Sequence, residues 1–212
     1  MIRKFEQFSV MALEEKEILE VEPIIHKKII ELNEFFEIKP KLSVQIIYSP
    51  HEFEFYKGEF QNWMVGTASK HHLWIFSKNL IETLTLHKKE CFEQVLKHEM
   101  SHIYTNTLSP FVPIWINEGV AVYLSENLEE RKKKLKEYNL DLFEKNKELK
   151  EMQIKNYVIA HCFVEYLINK YGKKIFLEFI KEFKLSIDIN QLSKTQFGND
   201  IRSEFKYWKE ST

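Results

Sequence analysis

The residues best suited to chemistry in this chain are two histidines and a glutamate. His98, Glu99 and His102 form the pattern His-Glu-x-x-His inside a run, from His87 to Leu108, that contains neither proline nor glycine. Apolar residues recur in this run at spacings of three and four, which predicts a helix. Residues four apart on a helix share a face and lie about 6 Å apart along its axis. Two imidazoles at that spacing can both reach one zinc ion.

The carboxylate of Glu99 is suited to a different role from the two imidazoles. Because Glu99 directly follows His98, its side chain leans off the line that joins the two histidines. A carboxylate on the open side of a metal can accept a proton from a water that the metal activates. The pattern therefore predicts that Glu99 is a general base and not a ligand.

A third ligand is required, because a catalytic zinc binds three protein groups and keeps one position open. The stretch Asn117-Glu118-Gly119 offers Glu118 downstream of the motif. Pro110 and Pro113 end the first helix, and the apolar residues from Trp115 to Leu124 indicate a second one. A helix, a tight turn and a second helix would return Glu118 toward the two histidines.

These residues resemble the gluzincin metallopeptidases, in which two histidines and a downstream glutamate bind zinc. The chain resembles the small peptidase-MA-like, or minigluzincin, proteins more closely. Their pattern adds a strand-Gly-strand hairpin, for which this chain has Val65-Gly66, and a later helix matched by residues 157–167. The resemblance covers about residues 40 to 208. It implies an α+β, zincin-like fold, with a small mixed β-sheet whose edge strand lies over the zinc helix, and a mainly helical C-terminal half.

The resemblance also implies an activity. It predicts a Zn2+-dependent peptidase in which His98, His102 and Glu118 hold the metal and Glu99 is the base. Since no extra domain suggests an anchor for a peptide's terminal amine, an endopeptidase is favoured. In the resembled family the strand before the zinc helix is the edge strand, here Leu73–Ser77, and a peptide or protein substrate is expected to pair with it.

A donor for the oxyanion is implied as well, and two residues are candidates. Tyr157 and His161 are four positions apart, so they share one face of the helix predicted from Tyr157 to Tyr171. A neutral tyrosine hydroxyl donates without a change of protonation state, which favours Tyr157. His161 could instead orient Glu118 from outside the ligand shell.

Other interpretations of the motif compete with a peptidase. The plainest is a surface helix with two ordinary histidines, which the combined pattern disfavours. A second is a non-catalytic, zinc-containing module of the same fold that binds peptides or regulates a partner; Glu99 argues against it, because a structural site needs no carboxylate there. A third is a toxin–antitoxin or regulatory component that cleaves a single protein partner. The sequence does not decide between the second and third alternatives and a general peptidase.

Composition bounds the remaining functions. The chain has 212 residues, is 44% hydrophobic and carries a net charge of −1, so it has material for a core and no basic excess that would indicate nucleic acid. Two cysteines, Cys91 and Cys162, exclude a disulfide framework and are expected to be free thiols. Without an apparent signal peptide or membrane-spanning run, we expect a cytoplasmic protein that does not enter membranes. The sequence leaves the oligomeric state open.

The predicted elements divide the chain into two parts. Residues 1–38 contain a helix, from residue 12 to 37, that packs on the domain or covers it, and packing is the favoured alternative. Residues 39–212 are expected to form a single compact zincin-like domain, with a strand at Leu42–Tyr48 and a hairpin around Gly66. The Glu- and Lys-rich segment Ser125–Lys155 is placed to cap one end of the predicted cleft.

Overall fold

The computed structural model of the protein describes residues 1–126, 154–185 and 187–211. The chain divides into two compact units, Met1–Thr107 and Leu108–Thr212. This division falls at a different place from the domain boundary predicted after residue 38. The predicted capping role of Ser125–Lys155 concerns a segment that lies almost wholly outside the described residues.

The first unit combines a small β-sheet with helices. Its strands are β1 (Ile2–Lys4), β2 (Phe8–Met11), β3 (Leu42–Ile47), β4 (Gly66–Ser69) and β5 (His72–Phe76). Its helices are α1 (Glu15–Phe36), α2 (Pro50–Lys57), α3 (Ile81–Leu84) and α4 (Phe92–Leu108), and a 3-10 turn at Lys89–Cys91 leads into α4. The predicted α+β class and the small mixed sheet are confirmed.

The five strands lie in the order β1-β2-β3-β5-β4. The central strands β2, β3 and β5 are parallel, whereas β1 and β4 pair antiparallel to their neighbours at the two ends. Strands β1 and β2 were not predicted from the sequence. Because β2 pairs with β3, these strands belong to the same sheet as the predicted ones.

The position of the predicted edge strand is wrong. The segment Leu73–Ser77 corresponds to β5, which pairs with β3 on one side and β4 on the other. A peptide therefore cannot add to it while the sheet is intact. Both strands of a hairpin show the same alternation, so the sequence did not reveal that β4 is the outer one. Among the described strands, β4 ends the sheet on this side.

One face of the sheet forms the core of the first unit. Leu42, Val44, Leu73 and Ile75 alternate with more exposed residues along β3 and β5, and all four are buried. Helix α1 lies on this face, with the ring of His26 against that of Phe8 at 4.6 Å. Pro23 does not interrupt α1, which runs unbroken over 22 residues.

Helix α4 is fixed against α1 by a buried hydrogen-bond network around Tyr104. The Tyr104 hydroxyl donates to Asn33 Oδ1 at 2.7 Å and accepts from Gln7 Nε2 at 3.1 Å. Salt bridges add two contacts between these helices, Lys97 to Glu31 at 2.7 Å and Lys28 to Glu93 at 3.2 Å. Since a buried polar group is costly unless it is hydrogen-bonded, the network restricts α4 to one rotation about its axis.

The described part of the second unit is helical. Its helices are α5 (Ile114–Ser125), α6 (Ile154–Tyr171), α7 (Lys173–Lys181), α8 (Ile189–Phe197) and α9 (Ile201–Ser211). Helices α5 and α6 match the helices predicted from Trp115 to Leu124 and from Tyr157 to Tyr171 within a few residues. Within the described residues, no helix combines the length and the apolarity that are needed to cross a bilayer.

Helices α5 and α6 approach each other closely at Gly119. A Cβ atom added there would lie 2.7 Å from the Ala160 carbonyl oxygen and 2.8 Å from Val164 Cγ2. These distances are too short for any side chain, and the nearest atom belongs to the backbone. Gly119 therefore sets the spacing of the two helices and the position of its neighbour Glu118.

We expect Gly119→Ala to destabilise the protein. Alanine gains about 1 kcal/mol in helix propensity, but overpacking against a backbone costs about 1–3 kcal/mol, so the free energy of unfolding should fall. Denaturant unfolding followed by circular dichroism measures the change, and Gly119→Val should cost more than Gly119→Ala. A rise in stability with alanine would contradict the close approach.

Candidate metal centre

His98 and His102 lie one helical turn apart on α4. Their ring centroids are 4.8 Å apart with the planes at 87°, and both side chains are half-buried. The buried positions of α4 include Leu96, Met100 and Ile103, which belong to the core. The histidines therefore stay accessible at one edge of the buried stripe, in the arrangement that the four-residue spacing predicts.

Glu99 lies against the first residue of β4. A Cβ atom at Gly66 would come within 3.2 Å of Glu99 Cγ and 3.3 Å of Val95 Cγ1. A larger residue at position 66 would thus push on the Glu99 side chain. The glycine allows α4 to approach the outer strand closely and places the Glu99 side chain beside that strand.

Glu118, on the first turns of α5, is the third residue of the group. One ligand atom from each of His98, His102 and Glu118 lies within 4.8 Å of the other two. Ligands of a tetrahedral zinc, bound at about 2.0–2.2 Å, are about 3.3–3.6 Å apart, so modest side-chain rotations would bring the three onto one ion. Two imidazoles and a carboxylate are a donor set that zinc accepts. The residues present therefore fit the metal that the sequence predicts.

The two candidates for the oxyanion donor both lie on α6. Tyr157 is half-buried near the start of this helix. His161 is 3% exposed, and its ring lies against that of Tyr123 on α5, with the centroids 5.9 Å apart. His161 also belongs to a second group of possible metal ligands, with Cys162 and Glu165. The proposed donor roles of Tyr157 and His161 stay predictions.

Two features of the site were missed in the sequence. Gly66 was recognised as part of a hairpin, but its contact with Glu99 was not foreseen; a glycine inside a strand pattern is itself a signal of close approach. Cys162 was expected to be a free thiol, and it is free and buried, but its grouping with His161 and Glu165 was not foreseen. The spacing His161, Cys162, Glu165 was the signal, because all three fall within an arc of about 100° on a helix.

Comparison with known proteins adds no assignment. No family model matches this chain, and no curated protein matches it significantly.

We expect zinc to bind at His98, His102 and Glu118. Replacing both histidines, His98→Ala with His102→Ala, should remove about one zinc per chain, because a single remaining carboxylate cannot hold the ion. Elemental analysis of protein purified without chelators measures the metal content. His26→Ala is a matched control, since His26 packs against Phe8 and is not in the group. An unchanged zinc content in the double variant would contradict the assignment.

Proposed function

We propose that this protein is a zinc-dependent peptidase of the gluzincin type, which cleaves internal peptide bonds. The observation that carries the proposal is the grouping of His98, His102 and Glu118 ligand atoms within 4.8 Å. Glu99 on the same helix turn supplies a carboxylate that is not part of this group. A structural zinc site has no use for such a carboxylate, whereas hydrolysis requires a base.

The fold and family are part of the proposal. We infer a zincin-like arrangement in which α4 carries the metal-binding motif beneath the outer strand β4. The contact between Gly66 and Glu99 supports this arrangement, because it puts the proposed base beside the strand that ends the sheet. The motif and the hairpin before it support membership of the peptidase-MA-like, or minigluzincin, proteins.

The chemistry divides between the metal and the residues around it. His98, His102 and Glu118 would hold the zinc, which when bound would supply positive charge to acidify a water and to stabilise negative charge on a carbonyl oxygen. Glu99 accepts the proton of the attacking water and then donates it to the amine that leaves. The water oxygen becomes bonded to the carbonyl carbon, the C–N bond breaks, and Glu99 returns to its ionised form.

The outer strand β4 is the proposed binding place for the substrate backbone. The bond from Phe76 N–H to the Val65 carbonyl, at 3.0 Å, marks this pair as hydrogen-bonded. Because bonded and non-bonded pairs alternate in an antiparallel ladder, Gly66 and Ala68 direct their N–H and C=O groups away from β5. An extended peptide can pair with these groups, and its scissile bond would then lie near Glu99.

The oxyanion needs a donor in addition to the metal. We propose Tyr157 first, because its hydroxyl donates in the form that is present at pH 7. His161 is the second candidate. Its contact with Tyr123 on α5 gives it an alternative role, which is to support the helix that carries Glu118.

We expect Glu99→Gln to retain zinc and to lose peptidase activity. Glutamine keeps the shape of the side chain but cannot accept the proton, so turnover should fall by at least about a hundredfold. Digestion of a peptide library, analysed by mass spectrometry, compares the wild type with the variant. Cleavage by the variant at the wild-type rate would show that Glu99 is not the base. A zinc-loaded wild type that cleaves no peptide would favour a non-catalytic, peptide-binding module.

We expect Ala68→Pro to weaken substrate binding without unfolding the sheet. Proline removes an N–H that points away from β5, which an outer strand tolerates. The value of kcat/KM for extended peptides should fall by about tenfold, with zinc content and melting temperature nearly unchanged. Thr67→Pro is the matched control. Thr67 and Trp74 form a hydrogen-bonded pair, so a proline at position 67 removes an N–H that bonds to β5 and should destabilise the sheet. Unchanged kcat/KM in Ala68→Pro would place the substrate elsewhere.

We expect Tyr157→Phe to lower kcat more than it changes KM. Loss of one oxyanion donor costs about 2.7–4 kcal/mol, so turnover should drop by about a hundredfold or more while zinc content stays the same. His161→Ala tests the alternative, since loss of a residue that supports Glu118 should weaken metal affinity at His98, His102 and Glu118 by about tenfold or more. Normal turnover in Tyr157→Phe would exclude this tyrosine as the donor.

A further inference from the structure

Helix α6 carries a second group of possible metal ligands, one of which, His161, is also the second candidate for the oxyanion donor. One ligand atom from each of His161, Cys162 and Glu165 lies within 4.8 Å of the other two. All three come from the described part of the second unit, and none is among His98, His102 and Glu118. We propose that these residues form a second zinc site, which does not depend on the peptidase proposal.

The helix itself gathers the three side chains. His161 and Glu165 are four positions apart and Cys162 and Glu165 are three apart, so the set covers an arc of about 100°. His161 Nε2 and the Glu165 carboxylate are 4.0 Å apart, which is beyond hydrogen-bond range. An ion that both atoms bind at about 2.0–2.2 Å fits into this gap, and an approach of about half an ångström gives tetrahedral spacing.

Burial and charge favour a divalent ion at this place. His161 and Cys162 are only 3% and 5% exposed, while Glu165 is half-buried and leaves a way in from solvent. When Cys162 releases its proton to solvent, the thiolate and the Glu165 carboxylate together balance a charge of +2 while His161 stays neutral. A site without net charge avoids most of the cost of placing an ion in a poorly solvated environment.

The ligand types select the metal. Thiolate and imidazole are soft and borderline ligands that favour zinc over magnesium or calcium, which take oxygen ligands. Three protein ligands leave a fourth position for water, as in an open zinc site. The site therefore differs from the first in one measurable respect, because only this one contains a thiolate.

Cobalt substitution distinguishes the two sites. The full chain is produced in zinc-depleted medium with Co2+, and its metal content and absorbance are measured. We expect about two cobalt ions per chain and a thiolate-to-cobalt charge-transfer band in the near ultraviolet. Cys162→Ser should lose the band and one ion. The band should persist in Cys91→Ser, which removes the other free cysteine, and in the variant with His98→Ala and His102→Ala.

Each result bears on the second site by itself. Absence of the band from the wild type, or its persistence in Cys162→Ser, would overturn the proposal. Should Cys162→Ser fail to fold, Glu165→Gln serves instead, because Glu165 is half-buried. Loss of even a supporting partner weakens metal binding by about 10–100-fold, so Glu165→Gln should weaken cobalt binding at this site by at least about tenfold. Unchanged affinity in that variant would also overturn the proposal. None of these outcomes depends on a measurement of peptidase activity.

Discussion

The orientation of α4 about its own axis is the constraint on which the proposed chemistry depends. The helix has one buried side, to which Leu96, Met100 and Ile103 contribute. Tyr104 adds a directional restriction, because its buried hydroxyl bonds to Asn33 and Gln7 at set distances. Apolar contacts alone tolerate small rotations, whereas hydrogen bonds weaken steeply when they are misaligned. With this side fixed, the direction in which α4 presents the histidines of the motif and Glu99 is fixed as well.

Two glycines let helices approach at the points where the glutamates are needed. Gly66 leaves room for Glu99 beside β4, and Gly119 lets α5 approach α6 next to Glu118. At Gly119 a Cβ atom would be too close to the backbone of α6, whereas at Gly66 it would make a tight contact with Glu99 that a small shift of this side chain relieves. The chain has only five glycines, and two of them, Gly66 and Gly119, lie at close contacts next to residues of the proposed site.

The strongly periodic parts of this fold could be predicted from the sequence. Helices α1, α4, α5 and α6 have long apolar patterns, and the limits of α1, α5 and α6 differ from the predicted ones by only a few residues. Helix α4 starts at Phe92, five residues after the start of the run without proline or glycine at His87. The motif residues on α4 could be assigned for the same reason, since helical spacing determines which of them share a face.

The sheet was harder to predict, because its strands are short and its order depends on contacts between distant segments. The strand Phe8–Met11 has four residues, which is too few for alternation to stand out. The substrate strand was misplaced on β5 because the resemblance put the edge at the strand just before the zinc helix, and alternation, which cannot tell the inner strand of a hairpin from the outer one, offered no correction. Likewise, the closeness of Glu118 to the histidines depends on the path of the chain through Pro110 and Pro113, which spacing alone does not determine.

The most direct test of the account is to locate zinc in crystals of the zinc-loaded protein by anomalous scattering at the zinc absorption edge. We expect an ion bound at about 2.0–2.2 Å by one nitrogen each of His98 and His102 and by a carboxylate oxygen of Glu118, with Glu99 near the metal but not bound to it. An ion that lacks Glu118 as a ligand, or one that Glu99 ligates in its place, would contradict the account, as would the absence of zinc at these residues.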